Sequence, residues 1–227
     1  MKKCNSIILV CAIFSFFSYN ILAQCKVLAD NLSGEYKGEC KKDLADGTGE
    51  ATGVDKYAGE FRKGLPDGKG VYTWANGNTY DGEFKKGKMD GYGIMTITGI
   101  DGKKEEKKGY WKYGYYAGTD KNVQLYIVKN KKYVTDYSVR RIGDGSKVSF
   151  KWVKGTRILY NMPDLTMNAT SGVESVQMTF CGFENVNFPF TCTLTFINTD
   201  TAETMTYDCL FEFEILIPGE YEISFKD

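Results

Sequence analysis

Aromatic, glycine and polar residues alternate in the first half of the chain in a pattern that predicts short β-strands. The segment Tyr57-Ala58-Gly59-Glu60-Phe61 places every second residue on one face, which is the period of a strand with one buried side. Turn residues at Pro66-Asp67-Gly68 and Asn76-Gly77 lie on either side of a second run, residues 69–74. The pattern therefore predicts a β-hairpin.

The hairpin pattern recurs along the chain. The copy that begins at Tyr57 returns 23 residues later at Tyr80, an earlier copy begins at Tyr36, and a later copy near Lys107 lacks the leading tyrosine. Because a single hairpin is marginal in water, we expect the copies to stack and to share their aromatic faces. The repeated positions that build this stack are Tyr36, Gly38, Tyr57, Gly59, Phe61, Gly64, Gly68, Gly70, Tyr80, Gly82, Phe84, Gly87, Gly91, Gly93, Gly109 and Trp111.

Stacking in register predicts two columns of buried side chains with glycine between them. Glycine in that place lets neighbouring chains approach closely. The first column is Tyr36, Tyr57 and Tyr80, the second is Cys40, Phe61, Phe84 and Trp111, and the glycines are Gly38, Gly59, Gly82 and Gly109.

The unit Tyr-x-Gly-x-Phe-x-x-Gly-x-x-x-Gly-x-Gly resembles the MORN repeat over about residues 34–118. The copies at Tyr57 and Tyr80 match in full, whereas Cys40 stands at the aromatic position of the copy at Tyr36. The resemblance implies an antiparallel hairpin array. It implies no single activity, because MORN arrays accompany kinases, methyltransferases, junctional proteins and bacterial proteins alike, and some members associate with membranes or lipids.

A change in composition marks a second architecture in the chain. Residues 24–118 contain 19 glycines and residues 119–227 contain 6. Short apolar or alternating runs in the second half favour an all-β sandwich, and they lie at residues 123–128, 148–153, 176–183, 191–197, 207–216 and 221–225. Residues 218–225 resemble the last strand of immunoglobulin-like or prealbumin-like sandwiches. We therefore expect an all-β protein, with a MORN-type antiparallel β-hairpin array over residues 24–118 followed by a β-sandwich over residues 119–227.

The first residues have the layout of a secretory signal peptide. Two lysines precede an apolar run, residues 7–17, that is too short to span a bilayer, and Ala23 offers a small residue for cleavage. In the alternative, a lipoprotein signal, Cys25 is acylated, but Gln24 is not the small residue that this signal wants before its cysteine. Residues 1–23 are thus predicted to direct export of a bacterial protein to the periplasm, the outer surface or the medium.

Five cysteines follow the predicted signal, and export would allow them to form disulfides. A hairpin of residues 191–197 and 207–216 would set Cys192 opposite Cys209, both facing inward, so a Cys192–Cys209 disulfide is predicted, with two buried thiols as the alternative. Cys181 lies on the opposite face of its run from Val176 and is the expected odd thiol.

Cys25 and Cys40 are the second candidate pair. A bridge between them would close a short loop and tether the open end of the array, which is worth about 3 kcal/mol in the loop-entropy model. The alternative leaves Cys40 as a small apolar filler in the second column.

Composition excludes several kinds of chemistry. The chain has no histidine, which removes Ser-His-Asp and Cys-His catalysis and imidazole metal ligation. Glu39, Glu60 and Glu83 would form a row of carboxylates, but identical repeat positions offer neither a cleft nor the two different environments that glycoside hydrolysis needs. We therefore expect no catalytic residues, cofactor or metal and no enzyme activity, with a carboxylate-dependent hydrolase as the remote alternative.

Charge is distributed unevenly along the second half. Residues 119–157 hold 10 basic and 3 acidic residues, and residues 158–227 hold 1 basic and 11 acidic. One interpretation is a basic face for anionic glycans or lipids, built from Lys129, Lys131, Lys132, Arg140, Arg141, Lys147, Lys151 and Lys154. In the other, favoured interpretation, basic and acidic strands lie side by side and neutralise each other.

The sequence as a whole predicts a non-catalytic exported repeat protein that acts as a scaffold or interaction module at the cell envelope. The alternative is a surface carbohydrate-binding module that uses exposed aromatic side chains. The partner is thus an unidentified protein or glycan, with no nucleic acid and no transmembrane segment. Membrane association is expected only through acylation of Cys25 or through the basic face.

Overall fold

The computed structural model describes residues 25–199 and 204–226, and the predicted signal segment lies outside these residues. The described residues form a short 3₁₀ helix, Asp30–Leu32, and otherwise strands, so the all-β prediction is confirmed. The strands are β1 (Glu35–Lys41), β2 (Leu44–Thr52), β3 (Lys56–Arg62), β4 (Leu65–Thr73), β5 (Thr79–Lys85), β6 (Lys88–Thr98), β7 (Lys104–Lys112), β8 (Tyr115–Gly118), β9 (Tyr126–Lys132), β10 (Asp136–Gly143), β11 (Lys147–Lys154), β12 (Arg157–Leu159), β13 (Thr166–Ala169), β14 (Val173–Gln177), β15 (Phe180–Glu184), β16 (Phe190–Thr199), β17 (Thr206–Ile215) and β18 (Glu220–Lys226).

Strands β1 to β8 form one antiparallel sheet in chain order. The predicted register from copy to copy is present, because a row of paired glycines crosses seven neighbouring strands. These glycines are Gly38, Gly49, Gly59, Gly70, Gly82, Gly93 and Gly109. The hairpins are thus stacked by backbone pairing between consecutive copies.

One face of this sheet carries a packed aromatic layer. Tyr57 meets Phe61 and Phe84 edge-to-face with ring centroids 5.0 and 5.1 Å apart, and Tyr80 meets Phe84 and Trp111 at 5.1 and 5.4 Å. All five side chains are buried. The two predicted columns therefore interlock, with each tyrosine packed between the aromatic residues of its own hairpin and the next.

The first copy departs from this pattern. Cys40 was expected in the second column, but the structure leaves it exposed and joins it to Cys25 in a disulfide. The column ends at Phe61, whose ring packs against Tyr36 with centroids 5.2 Å apart. Because β1 is the edge strand, nothing in the array lies beyond Cys40 to bury it.

The segment before β1 covers this end of the array. Val27 and Leu32 are buried against the first hairpins, and the N–H of Leu28 donates to the carbonyl of Gly64. The side chain of Asn31 donates to Asp55 over 3.0 Å. The disulfide therefore fastens a short N-terminal cap whose apolar side chains complete the aromatic layer.

Strands β9 to β18 form two sheets that face each other. The larger sheet runs β10, β18, β11, β15 and β14, with β12 beside β11, and the smaller runs β13, β16, β17 and β9. Most neighbours are antiparallel, but β11 and β18 are parallel. Phe150 on β11 and Phe213 on β17 meet across the core with ring centroids 6.0 Å apart, so the residues between the sheets form one hydrophobic core.

The predicted strand at residues 176–183 is wrong in its extent. The chain reverses at Met178, which is 96% exposed, and β14 and β15 form a hairpin in which Val176 pairs with Cys181. Cys181 consequently lies buried in the core, on the opposite side from the one that a single strand predicted. The turn contains no glycine or proline that would have marked it.

The predicted juxtaposition of Cys192 and Cys209 is also wrong. In the β16–β17 pair, Cys192 lies opposite Phe213 and Cys209 lies opposite Phe196, so no disulfide joins the two cysteines. The predicted register of β16 against β17 differs from the observed one by an even number of residues, so each side chain stays on the predicted face of the sheet. Both side chains therefore point inward as expected, and both are buried.

Within residues 25–199 and 204–226, no helix has the length and the apolar character that a membrane crossing requires.

Candidate functional site

In the copies that begin at Tyr36 and Tyr57, the tyrosine and the glutamate hold the backbone of their own hairpin. The hydroxyl of Tyr57 donates to the carbonyl of Glu60 over 3.0 Å, and Glu60 Oε1 accepts the backbone N–H of Lys69 over 3.0 Å. The same pair of contacts recurs one copy earlier, from Tyr36 to Glu39 at 2.7 Å and from Thr48 N–H to Glu39 Oε1 at 3.3 Å.

These contacts lie at a β-bulge in each hairpin. The register shifts between Gly59 and Phe61, so Glu60 has no paired residue on β4 and its side chain folds across the opposite strand. Gly68 lies beneath it with φ 116°, and a Cβ there would approach Glu60 Cδ to 2.6 Å. Glu39, Glu60 and Glu83 are thus a row of bulge residues, and the carboxylates of Glu39 and Glu60 accept backbone N–H groups.

An aspartate on each hairpin reaches the turn of the next one. Asp46 Oδ2 accepts the N–H of Lys63 over 3.1 Å, and Asp67 Oδ2 accepts the N–H of Lys86 over 3.1 Å. Both lysines have positive φ, 51° and 49°, in the Lys-Gly turns. The adjacent turn glycine, Gly87, donates to the carbonyl of Pro66 over 2.8 Å, so side-chain and backbone contacts together lock successive turns.

Asp55 is a buried carboxylate that sequence reasoning missed. It accepts hydrogen bonds from the hydroxyl of Tyr72 at 2.6 Å, the N–H of Ala75 at 2.9 Å and the side chain of Asn31 at 3.0 Å. Burial alone would raise the pKa of Asp55, but the hydrogen bonds from Tyr72, Ala75 and Asn31 outweigh it and hold the pKa below its usual range. Asp55 therefore ties the cap to the second hairpin as a charged acceptor.

The cysteines outside the array lie in the sandwich core. Burial raises the pKa of Cys181 to about 12, with a smaller contribution from Glu174, and burial also raises the pKa of Cys192. A thiol in such surroundings is a poor nucleophile, since the thiolate is the reactive form. Within the described residues, no group of three His, Cys, Asp or Glu side chains is arranged to hold a metal ion.

The basic strands of the sandwich are paired with acidic neighbours. Lys147 meets Glu184 at 2.9 Å, Lys151 meets Glu222 at 2.8 Å, and Arg140 also bonds Glu222. On the other sheet, Lys129 pairs with Glu214 at 3.2 Å. This is the neutralised arrangement that the favoured interpretation predicted, and contact of the basic face with anionic glycans or lipids stays a prediction.

A groove opens on the aromatic face of the array beside Trp74. It has a volume of about 320 Å³, and Trp111 and Tyr116 form its floor with ring centroids 5.3 Å apart. Lys107 Nζ lies 4.2 Å from the centre of the Tyr116 ring. The groove, which we call the Trp74 groove, is lined by Trp74, Asn76, Asn78, Met95, Ile97, Lys107, Trp111 and Tyr116.

The sequence identified some members of this groove as structural residues and missed its shape. Trp111 was predicted as a column residue and is buried, with its indole N–H donating to the carbonyl of Gly93 over 3.3 Å. Trp74 and Tyr72 extend the aromatic layer, with ring centroids 4.7 Å apart. Their position at the end of a repeat's second strand, with Tyr72 in β4 and Trp74 just after it, was the available signal.

Comparison with known families agrees with this geometry over part of the chain. Residues 57–79 and 80–98 match the MORN repeat family. These residues comprise strands β3 to β6, and strands β1, β2, β7 and β8 continue the same sheet on either side. A comparison with curated proteins gave no match. MORN repeats suggest a repeat module that binds rather than catalyses.

Proposed function

We propose that this protein is an exported, non-catalytic repeat protein that acts as a scaffold or interaction module at the cell envelope. The observation that carries the proposal is the use of the repeated Tyr, Glu and Asp side chains to hold backbone, as in the contacts Tyr57–Glu60, Glu60–Lys69 and Asp67–Lys86. Such contacts make a rigid sheet whose faces are available for binding.

Export is supported by two further observations. Residues 1–23 have the layout of a secretory signal peptide, which would direct the chain across a membrane. The Cys25–Cys40 disulfide suits an oxidising compartment. The disulfide also engages the sulfur that a lipoprotein signal would acylate, which favours a free N-terminal segment over a lipid anchor.

The outer face of the array, opposite the aromatic layer, fits a protein partner. Ala58, Val71, Asp81, Ile94 and Lys108 pair successively across strands β3 to β7 on this face. Val71 is 40% exposed. An apolar centre with charges of both signs beside it resembles the composition of protein interfaces.

Crosslinking in intact cells tests this proposal. The photoreactive residue p-benzoylphenylalanine at Val71 or at Tyr92, which is 47% exposed, is expected to give one shared adduct. The matched control is Val173 on β14, which is 63% exposed and lies outside the array. An adduct of equal yield at Val173, or none at Val71 and Tyr92, would contradict a docking role for the outer face.

The Trp74 groove favours a second candidate function, carbohydrate binding. Aromatic rings with neighbouring amide and ammonium groups, here Asn76 and Lys107, can stack on a sugar face and hydrogen bond its hydroxyls. A glycan array followed by tryptophan-fluorescence titration tests this, with Trp74→Ala expected to abolish any response. If no glycan on the glycan array binds the protein, carbohydrate binding is excluded as a candidate function.

A further inference from the structure

The polar side chains that line the Trp74 groove offer mainly hydrogen-bond donors. The amide oxygen of Asn76 accepts the N–H of Asn78 over 3.0 Å, and the amide oxygen of Asn78 accepts the N–H of Thr98 over 3.0 Å. Because the oxygen of each amide faces a backbone N–H, its NH₂ group is left as a donor. Lys107 adds an ammonium group, which donates and cannot accept. The groove therefore suits a ligand that is rich in acceptor oxygens.

The lining also has a net positive charge. Among the described residues that line the groove, Lys107 is the one charged side chain. Its Nζ lies 4.2 Å from the centre of the Tyr116 ring, and none of the ion pairs among the described residues includes it. An ammonium group without a carboxylate partner attracts an anion. Charge and hydrogen-bond donors thus favour the same kind of ligand group, a carboxylate.

One acidic residue lies close to the groove. Glu105 precedes Lys107 by two residues on β7 and pairs with Ile97 of the lining, so it lies on the same face of the sheet. Glu105 is exposed and does not line the groove. Its charge opposes an anionic ligand, and its removal is therefore expected to strengthen binding of one.

The apolar part of the groove suits the flat face of a sugar ring. Trp111 and Tyr116 form the floor, and Trp74, Met95 and Ile97 complete the apolar lining. The C–H groups on one face of a pyranose can pack on such rings while its hydroxyls reach polar groups at the edge. The volume of about 320 Å³ is at the lower end of the range for ligand sites in proteins, which fits a single pyranose ring.

We propose that the Trp74 groove binds an acidic sugar, a pyranose with a carboxylate on its ring, as in a hexuronic acid. The sugar ring packs against Trp74 and Tyr116, and the carboxylate pairs with Lys107 Nζ. Hydroxyl oxygens of the sugar accept hydrogen bonds from the amides of Asn76 and Asn78. This proposal rests on the carbohydrate-binding candidate function and narrows it to one class of sugar residue.

Pairs of monosaccharides that differ in one group test the role of charge. Methyl β-D-glucuronide has a carboxylate where methyl β-D-glucoside has a hydroxymethyl group, and methyl β-D-galacturonide and methyl β-D-galactoside repeat the comparison with the other configuration at C4. In at least one pair, the acidic sugar is expected to bind the full chain about fivefold more tightly, the upper end of what one exposed ion pair contributes. The ratio should approach one in about 1 M NaCl, where the screening length is about 3 Å.

Indole N–H signals of the ¹⁵N-labelled chain report where the sugar binds. The chain has three tryptophans, of which Trp74 and Trp111 line the groove. Trp152 is buried in the sandwich core and serves as an internal reference. The signals of Trp74 and Trp111 are expected to shift on titration and that of Trp152 to stay in place. Spectra of Trp74→Phe and Trp152→Phe assign the three signals.

Variants separate the cation from the aromatic platform. Lys107→Gln removes the charge from an exposed side chain, so the acidic and neutral sugars should bind this variant with equal affinity. Lys104→Gln is the matched control, because Lys104 is exposed on the same strand but points to the opposite face, and it should keep the fivefold preference. Glu105→Gln should increase the preference, and Trp74→Ala should abolish binding of all four sugars.

The outcomes distinguish this proposal from carbohydrate binding itself. Equal affinities of acidic and neutral sugars for the unaltered chain would overturn the acidic-sugar proposal and leave carbohydrate binding standing. If none of the four sugars shifts the Trp74 or Trp111 signal, both proposals fail for this groove. A preference that persists in Lys107→Gln, or that Lys104→Gln removes to the same extent, would contradict the pairing of the carboxylate with Lys107.

Discussion

The guanidinium carbon of Arg141 lies 4.2 Å from the centre of the Tyr113 ring, and this contact joins the last array turn to the sandwich. Arg141 Nε also donates to the carbonyl of Pro218 over 3.1 Å, and Nη2 bonds Asp144 at 2.7 Å. Asp144 also forms an ion pair with Lys88, which lies on β6 of the array. The two halves of the chain are therefore fastened through one nearly buried arginine.

Removal of this arginine is expected to destabilise the protein. The Arg141 side chain is 7% exposed, so Arg141→Ala should lower the free energy of unfolding by about 2 kcal/mol, in line with hydrogen bonds to charged groups. Arg140→Ala is the matched control, because Arg140 is 63% exposed and its ion pair should be worth at most about 1 kcal/mol. Urea denaturation measures both, and equal losses would contradict a fastening role for Arg141.

The repeated glutamate is expected to act through its hydrogen bond rather than its charge. Glu60→Ala removes the acceptor of the Lys69 N–H and should cost about 1 kcal/mol of unfolding free energy. Glu60→Gln retains an amide oxygen in the same place and should cost clearly less. Urea denaturation measures the free energy of unfolding of both variants. A hydrolytic activity that is lost in Glu60→Gln without a change in stability would instead support a catalytic role for the row of glutamates.

Two glycines of the array should differ in their tolerance of alanine. A Cβ at Gly59 would lie 2.5 Å from both Gly70 Cα and the carbonyl oxygen of Lys69. Since both neighbours are backbone atoms of the paired strand, Gly59→Ala must disrupt β3–β4 pairing and should cost several kcal/mol. At Gly77 the space is open and only the positive φ of 84° opposes a side chain, so Gly77→Ala should cost about 1 kcal/mol. Thermal unfolding would contradict this account if the two variants melted together.

The Cys25–Cys40 disulfide is expected to stabilise the cap of the array. The two cysteines are 15 residues apart, a loop length for which the chain-entropy model gives about 3 kcal/mol. A reducing agent should therefore lower the unfolding midpoint of the native chain and leave that of Cys25→Ser/Cys40→Ser unchanged. Intact mass before and after reduction provides the complement, since a lipid on Cys25 would exclude the disulfide.

Array stability should decline in alkaline solution. Burial, with a smaller effect of Glu60 on Tyr57 and of Glu83 on Tyr80, raises the pKa of both tyrosines above the ordinary 10.0. Above pH 10 the tyrosines of the unfolded chain lose their hydroxyl protons while those of the folded chain keep them. The free energy of unfolding is therefore unaffected by these tyrosines below pH 10 and falls as the pH rises above it. The slope is up to about 1.4 kcal/mol per pH unit for each tyrosine. Urea denaturation at pH 8 and pH 11 measures it, and Tyr57→Phe should reduce the pH dependence.

The register of the array followed from the sequence because each copy repeats its own constraints. Tyr57, Gly59 and Phe61 fix one face, and a shift by one residue would expose both rings, so few alternatives existed. The end of the array that carries the Cys25–Cys40 disulfide was harder to predict from the sequence. Cys40 stands at an aromatic position of the repeat, but burial there depends on a further hairpin that an edge strand lacks.

The sandwich was predicted less accurately from the sequence than the array, because the contacts that determine it join segments distant along the chain. No local residue signalled the turn at Met178. The predicted register of β16 against β17 was wrong, because Cys192 pairs with Phe213 rather than with Cys209. The parallel pairing of β11 with β18 depends on the order of strands in space. The packing of the Trp152, Phe196 and Phe225 rings depends on the same arrangement, since the three residues come from three separate strands.

The contact between Asp67 and the turn at Lys86 has an evolutionary consequence. It has the same form as the contact between Asp46 and the turn at Lys63. Each such hairpin therefore donates a turn N–H to the aspartate of the preceding hairpin, and its own aspartate accepts an N–H from the turn of the following hairpin. Tandem duplication of one such segment in the gene would yield a hairpin that already complements both neighbours. Array length can therefore change between descendants in whole steps, without compensating substitutions elsewhere in the molecule.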